Sequence, residues 1–315
     1  MANNPQLISI ITPMYNEEDN VVPFFKAITK VLDTLPYSFE ILFVDDGSKD
    51  TSAKKVDGLK SKKHTVRLIS LARNFGKEIA TTAGIHEAKG EAAIILDSDL
   101  QHPIDRIPDF IKEWEQGNDV VIGVREDAGH SNGLKKLGSN TFYKIMNHIS
   151  HTNIIPHSTD YRLIDRQVID AFVQFTERER ITRGLIDWLG FERSVVYFTP
   201  NEREFGTPSY TFYKLARLAM TSFTAHSLLP LKIAGYLGVV FIVFFGALGI
   251  LVYVENYIMG DPMGLAISGT AMLAILLLFA IGIMLSCLGL IALYVATIHG
   301  EVTNRPLYVI RRRRK

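Results

Sequence analysis

Short apolar runs and helical apolar spacings alternate along the first two thirds of the chain. The apolar runs predict strands at 7–11, 39–44, 66–71, 92–96, 120–122 and 195–198, and a further short strand after residue 158. The helical spacings predict helices at 16–32, 77–88 and 105–115, one after Asp50 and one ending near Val173. This alternation favours an α/β domain with a parallel or mostly parallel sheet that is covered on both faces.

Two longer stretches, 233–254 and 265–298, contain no charged residue. Crossing a bilayer takes about 20 apolar residues, so each stretch is long enough to span a membrane. We therefore predict transmembrane helices at 230–256 and 264–298. The segment 209–229 has the apolar spacing of an amphipathic helix, which favours a helix lying in the membrane interface. Packing of that helix against the preceding domain is the alternative, because amphipathicity alone does not choose between the two.

Charge is unevenly placed, although the formal net charge is only +1. Residues 311–315 are all Arg or Lys, whereas the connection 255–264 between the two predicted spans contains neither. The positive-inside rule then predicts a multi-pass protein of the cytoplasmic (inner) membrane, with the domain 1–208 and the basic tail 299–315 in the cytoplasm. The single cysteine, Cys287, excludes an intrachain disulfide.

The strand predicted at 92–96 leads directly into a polar sequence, Asp97-Ser98-Asp99-Leu100-Gln101. Side chains alternate along an extended backbone, so we expect Asp97, Asp99 and Gln101 to project the same way. Two carboxylates and an amide oxygen suit Mg²⁺ or Mn²⁺ bound together with substrate phosphates. An Asp-x-Asp pattern alone is weak, and its position at the end of an apolar run is what favours a metal site.

Other polar clusters also follow predicted strands, namely Tyr15-Asn16-Glu17, Asp45-Asp46 and Arg125. Ligands of such sheets bind beyond the carboxyl ends of the strands, so these clusters are expected to meet at one rim. The glycine patterns Gly-x-Gly-x-x-Gly and Gly-x-x-x-x-Gly-Lys-[Ser/Thr] are absent, which disfavours a dinucleotide fold and a P-loop. We expect no nucleic-acid partner.

A series of motifs over about two thirds of the chain resembles glycosyltransferase family 2, specifically the polyprenyl-phosphate glycosyltransferases. The motifs are Pro13-Met14-Tyr15-Asn16-Glu17, Asp45-Asp46-Gly47-Ser48, Arg73-Asn74-Phe75-Gly76-Lys77, Asp97-Ser98-Asp99-Leu100-Gln101-His102-Pro103, Gly123-Val124-Arg125, Asp160-Tyr161-Arg162-Leu163, Arg183-Gly184 and Arg203-x-x-Gly206. Each motif is modest alone, and their order makes the combination specific. The two predicted spans resemble the bactoprenol branch of that family.

The resemblance implies a GT-A fold and assigns roles to individual residues. It implies that Pro13, Tyr15, Glu17 and Asp46 hold the base and ribose of a nucleotide sugar, with Ser98 and Arg125 also on the donor. It implies that Asp97, Asp99 and Gln101 hold Mg²⁺ or Mn²⁺ and the diphosphate, and that Asp160 lies on the acceptor side as a base or a positioning group. Arg183 and Arg203 are implied to contact phosphates.

One departure from the family pattern concerns the segment after Gly206. Relatives often carry a lysine there, whereas this chain continues Thr207-Pro208-Ser209-Tyr210, so Lys214 is our candidate replacement. The Gln-x-x-Arg-Trp motif of processive synthases is absent, which favours a single transfer per lipid.

The resemblance thus implies inverting transfer of one sugar to a polyprenyl phosphate such as undecaprenyl phosphate, at the cytoplasmic membrane face. UDP-glucose is the first choice of donor, and GDP-mannose, UDP-N-acetylglucosamine and UDP-galactose stay open. Relatives suggest a homotetramer. Two alternatives stay open: transfer to another membrane lipid such as diacylglycerol, and a non-catalytic scaffold or lipid-flipping subunit.

Overall fold

Seven strands form one sheet in the computed structural model, which describes residues 6–126, 155–178, 180–201 and 269–311, with isolated positions between 236 and 260. The strands are β1 (Leu7–Met14), β2 (Ser38–Asp45), β3 (Thr65–Ser70), β4 (Ala92–Ile95), β5 (Val120–Arg125), β6 (Ser158–Asp165) and β7 (Arg193–Phe198). The helices are α1 (Val21–Leu32), α2 (Ser52–Asp57), α3 (Lys77–Glu87), α4 (Ile107–Glu115), α5 (Arg166–Phe172), α6 (Thr182–Trp188) and α7 (Gly269–Val302), with a 3-10 turn at Ile104–Arg106.

The strand order is β3-β2-β1-β4-β6-β5-β7, and β6 alone runs against the others. The prediction of a mostly parallel α/β sheet is therefore confirmed. The reversed direction of β6 was not predicted, and it determines the geometry of the site. Because β6 is antiparallel, its first residues lie at the edge where the parallel strands end.

Apolar residues cover both faces of the sheet, as the near-continuous apolar strands require. On one face, Phe24 of α1 and Phe110 of α4 are fully buried against strand residues such as Ile10. On the other face, Ala83 of α3 and Val168 of α5 pack in the same cluster. The predicted helices at 77–88 and 105–115 are therefore confirmed as the layers that cover the sheet.

The first helix begins later than predicted, at Val21 rather than at Asn16. Asn16 instead adopts a left-handed backbone with φ of 54°. Its amide donates to Ser48 Oγ at 3.0 Å, and its side-chain oxygen accepts from the Lys49 amide at 2.9 Å. These local bonds compete with helix formation and fasten the loop after β1 to the loop after β2.

The chain divides into two compact units, Met1–Pro208 with Arg305–Lys315, and Ser209–Asn304. In the second unit α7 has 34 residues and exposes large apolar side chains such as Leu273 and Met284. Among the residues that the structure describes, this is the one helix long and apolar enough to cross a membrane. The described positions between 236 and 251 are helical, and the Phe241 ring contacts the Phe279 ring at 5.3 Å. Most of the predicted span 230–256 lies outside the described residues, and two spans therefore stay a prediction.

Residues from the C-terminal segment are part of the first unit and extend the edge of its sheet. Ile310 forms an antiparallel bridge with Leu71, just after β3, and the Ala72 amide donates to Val309 O at 2.8 Å. Tyr308 is half-buried and its hydroxyl lies 3.1 Å from Nδ1 of His86 on α3. The tail, predicted only as a basic segment, is therefore tied to the strand that leads into the loop 71–76.

Candidate active site

Asp97 and Asp160 approach each other because of the register between β4 and β6. Ile95, the last residue of β4, pairs with Arg162 of the antiparallel strand. Asp97 lies two residues after the end of β4, and Asp160 lies two residues before Arg162 on β6. Antiparallel pairing therefore brings the acidic sequence after β4 beside the aspartate at the start of β6.

A single ammonium group joins these two carboxylates. Lys77 Nζ lies 2.7 Å from Asp97 Oδ1 and 2.9 Å from Asp97 Oδ2, and it donates to Asp160 Oδ2 at 2.9 Å. Burial favours the neutral form of the lysine, yet the two aspartates raise its pKa above the ordinary value. Burial also opposes ionisation of Asp160, but Lys77, Arg183 and Arg162 hold the pKa of that carboxyl below its usual range. Both aspartates in this arrangement are therefore ion-paired with the same lysine.

The residues after Asp97 turn instead of continuing the strand. Asp99 Oδ1 accepts from the Gln101 amide at 3.1 Å, and Leu100 has a φ of 62°. The expected alternation of side chains along an extended backbone is therefore wrong for Asp97, Asp99 and Gln101, since an aspartate-capped turn competes with the strand. The turn still keeps the three residues together at the carboxyl edge of the sheet.

His102 supports Asp97 from inside the protein. Its ring is buried and stacks on Tyr161 at 5.1 Å, and its Nδ1 accepts from the Asp97 amide at 3.2 Å. Burial lowers the pKa of His102, so the ring is neutral and can accept that hydrogen bond. His102 is therefore a core residue.

Asp46 is buried and organises the loop that carries Lys77. Its carboxylate accepts from the amides of Phe75 at 2.7 Å and Gly76 at 2.9 Å. Burial raises the pKa of Asp46, and the two amides oppose that rise. At the neighbouring Gly47, with φ of 71°, a Cβ would lie 2.6 Å from the carbonyl carbon of Arg73, so only glycine lets the two loops approach.

The other predicted donor residues lie along the same rim. Pro13 is buried within β1, whereas Tyr15 is exposed at its end, and the Glu17 amide donates to Ser52 Oγ at 2.9 Å. Ser98 is buried in the turn after β4, and Arg125 is exposed as the last residue of β5. The structure thus brings these predicted residues to the carboxyl ends of neighbouring strands.

Arg183 is held beside Asp160 by a buried ion pair. Arg162 has the largest fully buried side chain among the residues that the structure describes. It donates to Asp187 Oδ1 at 2.8 Å and to the carbonyl of Arg183 at 3.3 Å. Asp187 and Arg183 belong to the same helix, α6, which sequence reasoning did not predict. At the start of this helix, the Thr182 amide donates to Glu78 Oε2 at 2.7 Å. Arg162 therefore fixes the helix that presents Arg183.

A small cavity opens between α3, β6 and α6. Its polar lining consists of Glu78, Thr81, Asp160, Arg162, Thr182 and Arg183. The lining therefore combines two guanidinium groups, those of Arg162 and Arg183, with two carboxylates, those of Glu78 and Asp160. Arg162 is already bonded to Asp187, so Arg183 is the side chain here that can offer a planar donor fork to an anion. Two further predicted phosphate ligands, Arg203 and Lys214, lie outside the described residues.

The profile of the family described as Glycosyl transferase family 2 matches residues 9–172, which is more than half of the chain.

The chain belongs to glycosyltransferase family 2. Its α/β domain is accordingly of the GT-A-like type, with a mixed and mostly parallel sheet. An uncharacterised glycosyltransferase of Synechocystis is 36% identical over 96% of this chain and 94% of its own length. A Shigella flexneri protein named SfII prophage-derived bactoprenol glucosyl transferase is 33% identical over 97% of both chains. An Escherichia coli protein named prophage bactoprenol glucosyl transferase homolog is 33% identical over 98% of this chain and 99% of its own length.

The carboxylate oxygens of Asp97 and Asp99 are of the ligand type that hard divalent cations prefer. The buried imidazole of His102, which lies beside Asp97, is engaged by a backbone amide. No group of three or more His, Cys, Asp or Glu residues able to hold a metal occurs within the described ranges. A cation here would need oxygen ligands from a bound diphosphate as well, which is usual for Mg²⁺ sites.

Four residues that contact the candidate site or support it were not assigned a role from the sequence: Lys77, His102, Arg162 and Asp187. Lys77 belongs to one of the motifs that resemble the family. Its position at the start of a helix that follows a strand could have identified it as a candidate site residue. Arg162 also lies in one of these motifs, but its burial against Asp187 could not be predicted, because charged residues in a sequence are ordinarily expected at the surface.

Proposed function

We propose that this family 2 enzyme transfers one glucose from UDP-glucose to undecaprenyl phosphate, with inversion, at the cytoplasmic face of the inner membrane. The observation that carries the proposal is that Asp97, at the carboxyl edge of the sheet, shares the Lys77 ammonium with Asp160, which lines a small cavity together with Arg183. Relatives named bactoprenol glucosyl transferases, which match nearly the whole chain, support this lipid class and this sugar.

The donor is proposed to bind along the rim formed by the ends of β1, β2 and β4. Pro13, Tyr15, Glu17 and Asp46 would surround the base and ribose, and Ser98 and Arg125 would lie toward the diphosphate. Asp97, Asp99 and Gln101 would hold Mg²⁺ or Mn²⁺. When bound, the cation would offset the negative charge that develops on the departing diphosphate.

The acceptor phosphate is proposed to enter the cavity beside Asp160. Arg183 lines this cavity and would pair with phosphate oxygens, with Arg203 and Lys214 as further phosphate ligands. Arg162 would act indirectly, since its guanidinium is committed to Asp187 and to the backbone of α6.

Transfer would proceed by attack of an acceptor phosphate oxygen on the anomeric carbon from the face opposite the diphosphate. The new bond joins that oxygen to the carbon, and the bond to the diphosphate breaks with its electron pair leaving on UDP. A phosphate monoester with a second pKa near ~6 is already largely dianionic at neutral pH, so a strong base is not needed. Asp160, whose pKa is held low, would be a weak base, which favours a role in orienting the acceptor.

The membrane segments would bring the enzyme to its lipid substrate. We propose two spans, 230–256 and 264–298, with the catalytic domain and the C-terminus in the cytoplasm. The exposed apolar surface of α7 supports the second span. A homotetramer is also proposed.

The test is transfer from a panel of radiolabelled nucleotide sugars to undecaprenyl phosphate by the full-length protein in detergent. The panel contains UDP-glucose, GDP-mannose, UDP-N-acetylglucosamine and UDP-galactose, each with Mg²⁺, with Mn²⁺ and with EDTA. We expect labelled lipid from UDP-glucose only, lost with EDTA. Transfer from another donor would contradict the proposed sugar, glucose. Transfer only to added diacylglycerol would contradict undecaprenyl phosphate as the acceptor, and transfer in the presence of EDTA would contradict the proposed need for a divalent cation.

A further inference from the structure

Lys77 occupies a fixed position between the two halves of the site. It is the first residue of α3 and follows Gly76, whose φ is 99°. The amides of the two preceding residues, Phe75 and Gly76, are both held by Asp46. The backbone from which the lysine extends is therefore anchored, while its side chain is 45% exposed and reaches the carboxylates over a flexible stem.

The Lys77 ammonium contacts both aspartates. It donates one hydrogen bond to Asp97 Oδ2 and one to Asp160 Oδ2. Three carboxylate oxygens lie within 2.9 Å of Nζ, two from Asp97 and one from Asp160. Asp97 thus has both oxygens committed to a cation that belongs to the chain.

A divalent cation at Asp97 would compete with this arrangement. Mg²⁺ and similar ions bind a carboxylate oxygen at about 2.0–2.1 Å, closer than the ammonium does. Two cations on one carboxylate repel each other, so binding of one weakens binding of the other, and the coupling is reciprocal.

We propose that Lys77 is a positioning residue that serves as an internal counter-ion, holding the donor-side and acceptor-side carboxylates together and competing with the divalent cation for Asp97. This inference rests on the proposed role of Asp97 as a metal ligand. In the absence of substrate the lysine keeps Asp97 and Asp160 paired. When cation and nucleotide bind, Lys77 gives up Asp97 and keeps its contact with Asp160 or turns to a phosphate.

The test measures Mn²⁺ binding, not activity. Free Mn²⁺ is quantified by electron paramagnetic resonance during titration of the full-length protein in detergent, without nucleotide and then with UDP. Lys77→Met removes the charge, Lys77→Gln removes the charge but keeps an N–H donor, and Lys77→Arg keeps the charge. Lys112→Met, on the exposed face of α4, is the matched control. Asp97→Asn, alone and with Lys77→Met, assigns the binding to this site.

We expect Lys77→Met and Lys77→Gln to bind Mn²⁺ without nucleotide about fivefold or more tightly than wild type. Lys77→Arg and Lys112→Met should match wild type, and Asp97→Asn should abolish the tight binding. Equal or weaker Mn²⁺ binding in both neutral Lys77 variants would overturn the inference, because a structural or purely phosphate-binding lysine would not restrain the metal. Should Lys77→Met fail to fold, Lys77→Gln decides alone. Absence of Mn²⁺ binding in every variant even with UDP would overturn the proposed metal site as well.

Discussion

Asp97 follows the carboxyl end of β4, and Asp160 lies near the start of the antiparallel strand β6. The two carboxylates share one ammonium, that of Lys77, at 2.7 Å and 2.9 Å. The register that pairs Ile95 with Arg162 is what brings them together. A residue proposed for the donor and a residue proposed for the acceptor are thereby placed side by side, as a direct displacement between two bound substrates requires.

The low pKa of Asp160 leads to a prediction about the pH dependence of transfer. A carboxyl with a lowered pKa remains ionised as pH falls through its ordinary range, so it contributes no limb near neutrality. We expect one acidic limb, near pH ~6, from the acceptor phosphate itself. Asp160→Asn should transfer more slowly but keep that limb. A limb that is present in wild type and absent from Asp160→Asn in the kcat/KM profile would identify Asp160 as a general base instead.

Asp46→Asn should loosen the loop that carries Lys77. The amide side chain has only one acceptor oxygen, so one of the two amides of residues 75 and 76 loses its partner. Leaving a buried donor unpaired costs about 1–3 kcal/mol. We expect a lower denaturation midpoint and severalfold weaker UDP binding by calorimetry. Asp19→Asn, an exposed neighbour on the same rim, should change neither, and equal effects of the two substitutions would contradict the role given to Asp46.

Asp187 and Asp170 each form an ion pair with an arginine, one pair buried and one exposed, so the two pairs show how burial changes the stabilisation. The side chains of Asp187 and Arg162 are 3% and 1% exposed, whereas Asp170, paired with Arg166, is 65% exposed. Asp187→Ala leaves Arg162 buried without its partner and should destabilise the domain by about 3–5 kcal/mol. Asp170→Ala should cost less than about 1 kcal/mol.

Both tryptophans of the chain, Trp114 and Trp188, lie in the catalytic domain, so their fluorescence during denaturation reports on that domain. Similar denaturation midpoints for Asp187→Ala and Asp170→Ala would contradict the structural role of the buried pair.

Much of the fold can be predicted from the sequence, because the spacing of apolar residues distinguishes its helices from its strands. The spacing of Phe24 and Ile28 predicts a helix on the sheet, and the apolar run before Asp97 predicts a strand that ends there. The family motifs placed Asp46, Asp97 and Asp160 in one site, and the structure brings all three to the same edge of the sheet.

The remaining features depend on tertiary contacts that no local pattern records. The direction of β6 depends on which strands it pairs with, and Lys77 finds its partners only once β4 and β6 are adjacent. The bridge from Leu71 to Ile310 joins residues from opposite ends of the chain. Arg162 is buried against expectation because Asp187, on a short helix, neutralises it.

Tyr308 should stabilise the catalytic domain from the far end of the chain. Its half-buried ring packs near His86, and its hydroxyl bonds the imidazole, whose pKa burial lowers. Tyr308→Ala should destabilise the domain by about 2 kcal/mol through lost packing. Tyr308→Phe keeps the ring and should cost less than about 1 kcal/mol. The check is tryptophan fluorescence during chemical denaturation, and equal midpoints for wild type and Tyr308→Ala would show that the contact does not support the domain.

The most direct test of the division between donor and acceptor sides compares Asp97→Asn and Asp160→Asn in two measurements on the full-length enzyme. One is the rate of glucose transfer from UDP-glucose to undecaprenyl phosphate, and the other is the Kd of UDP in the presence of Mn²⁺. We predict that both variants lose on the order of 10²-fold or more in transfer rate. Only Asp97→Asn should lose UDP affinity, whereas Asp160→Asn should bind UDP as wild type does. Near wild-type transfer by Asp160→Asn, or an equal loss of UDP affinity in both variants, would contradict the account.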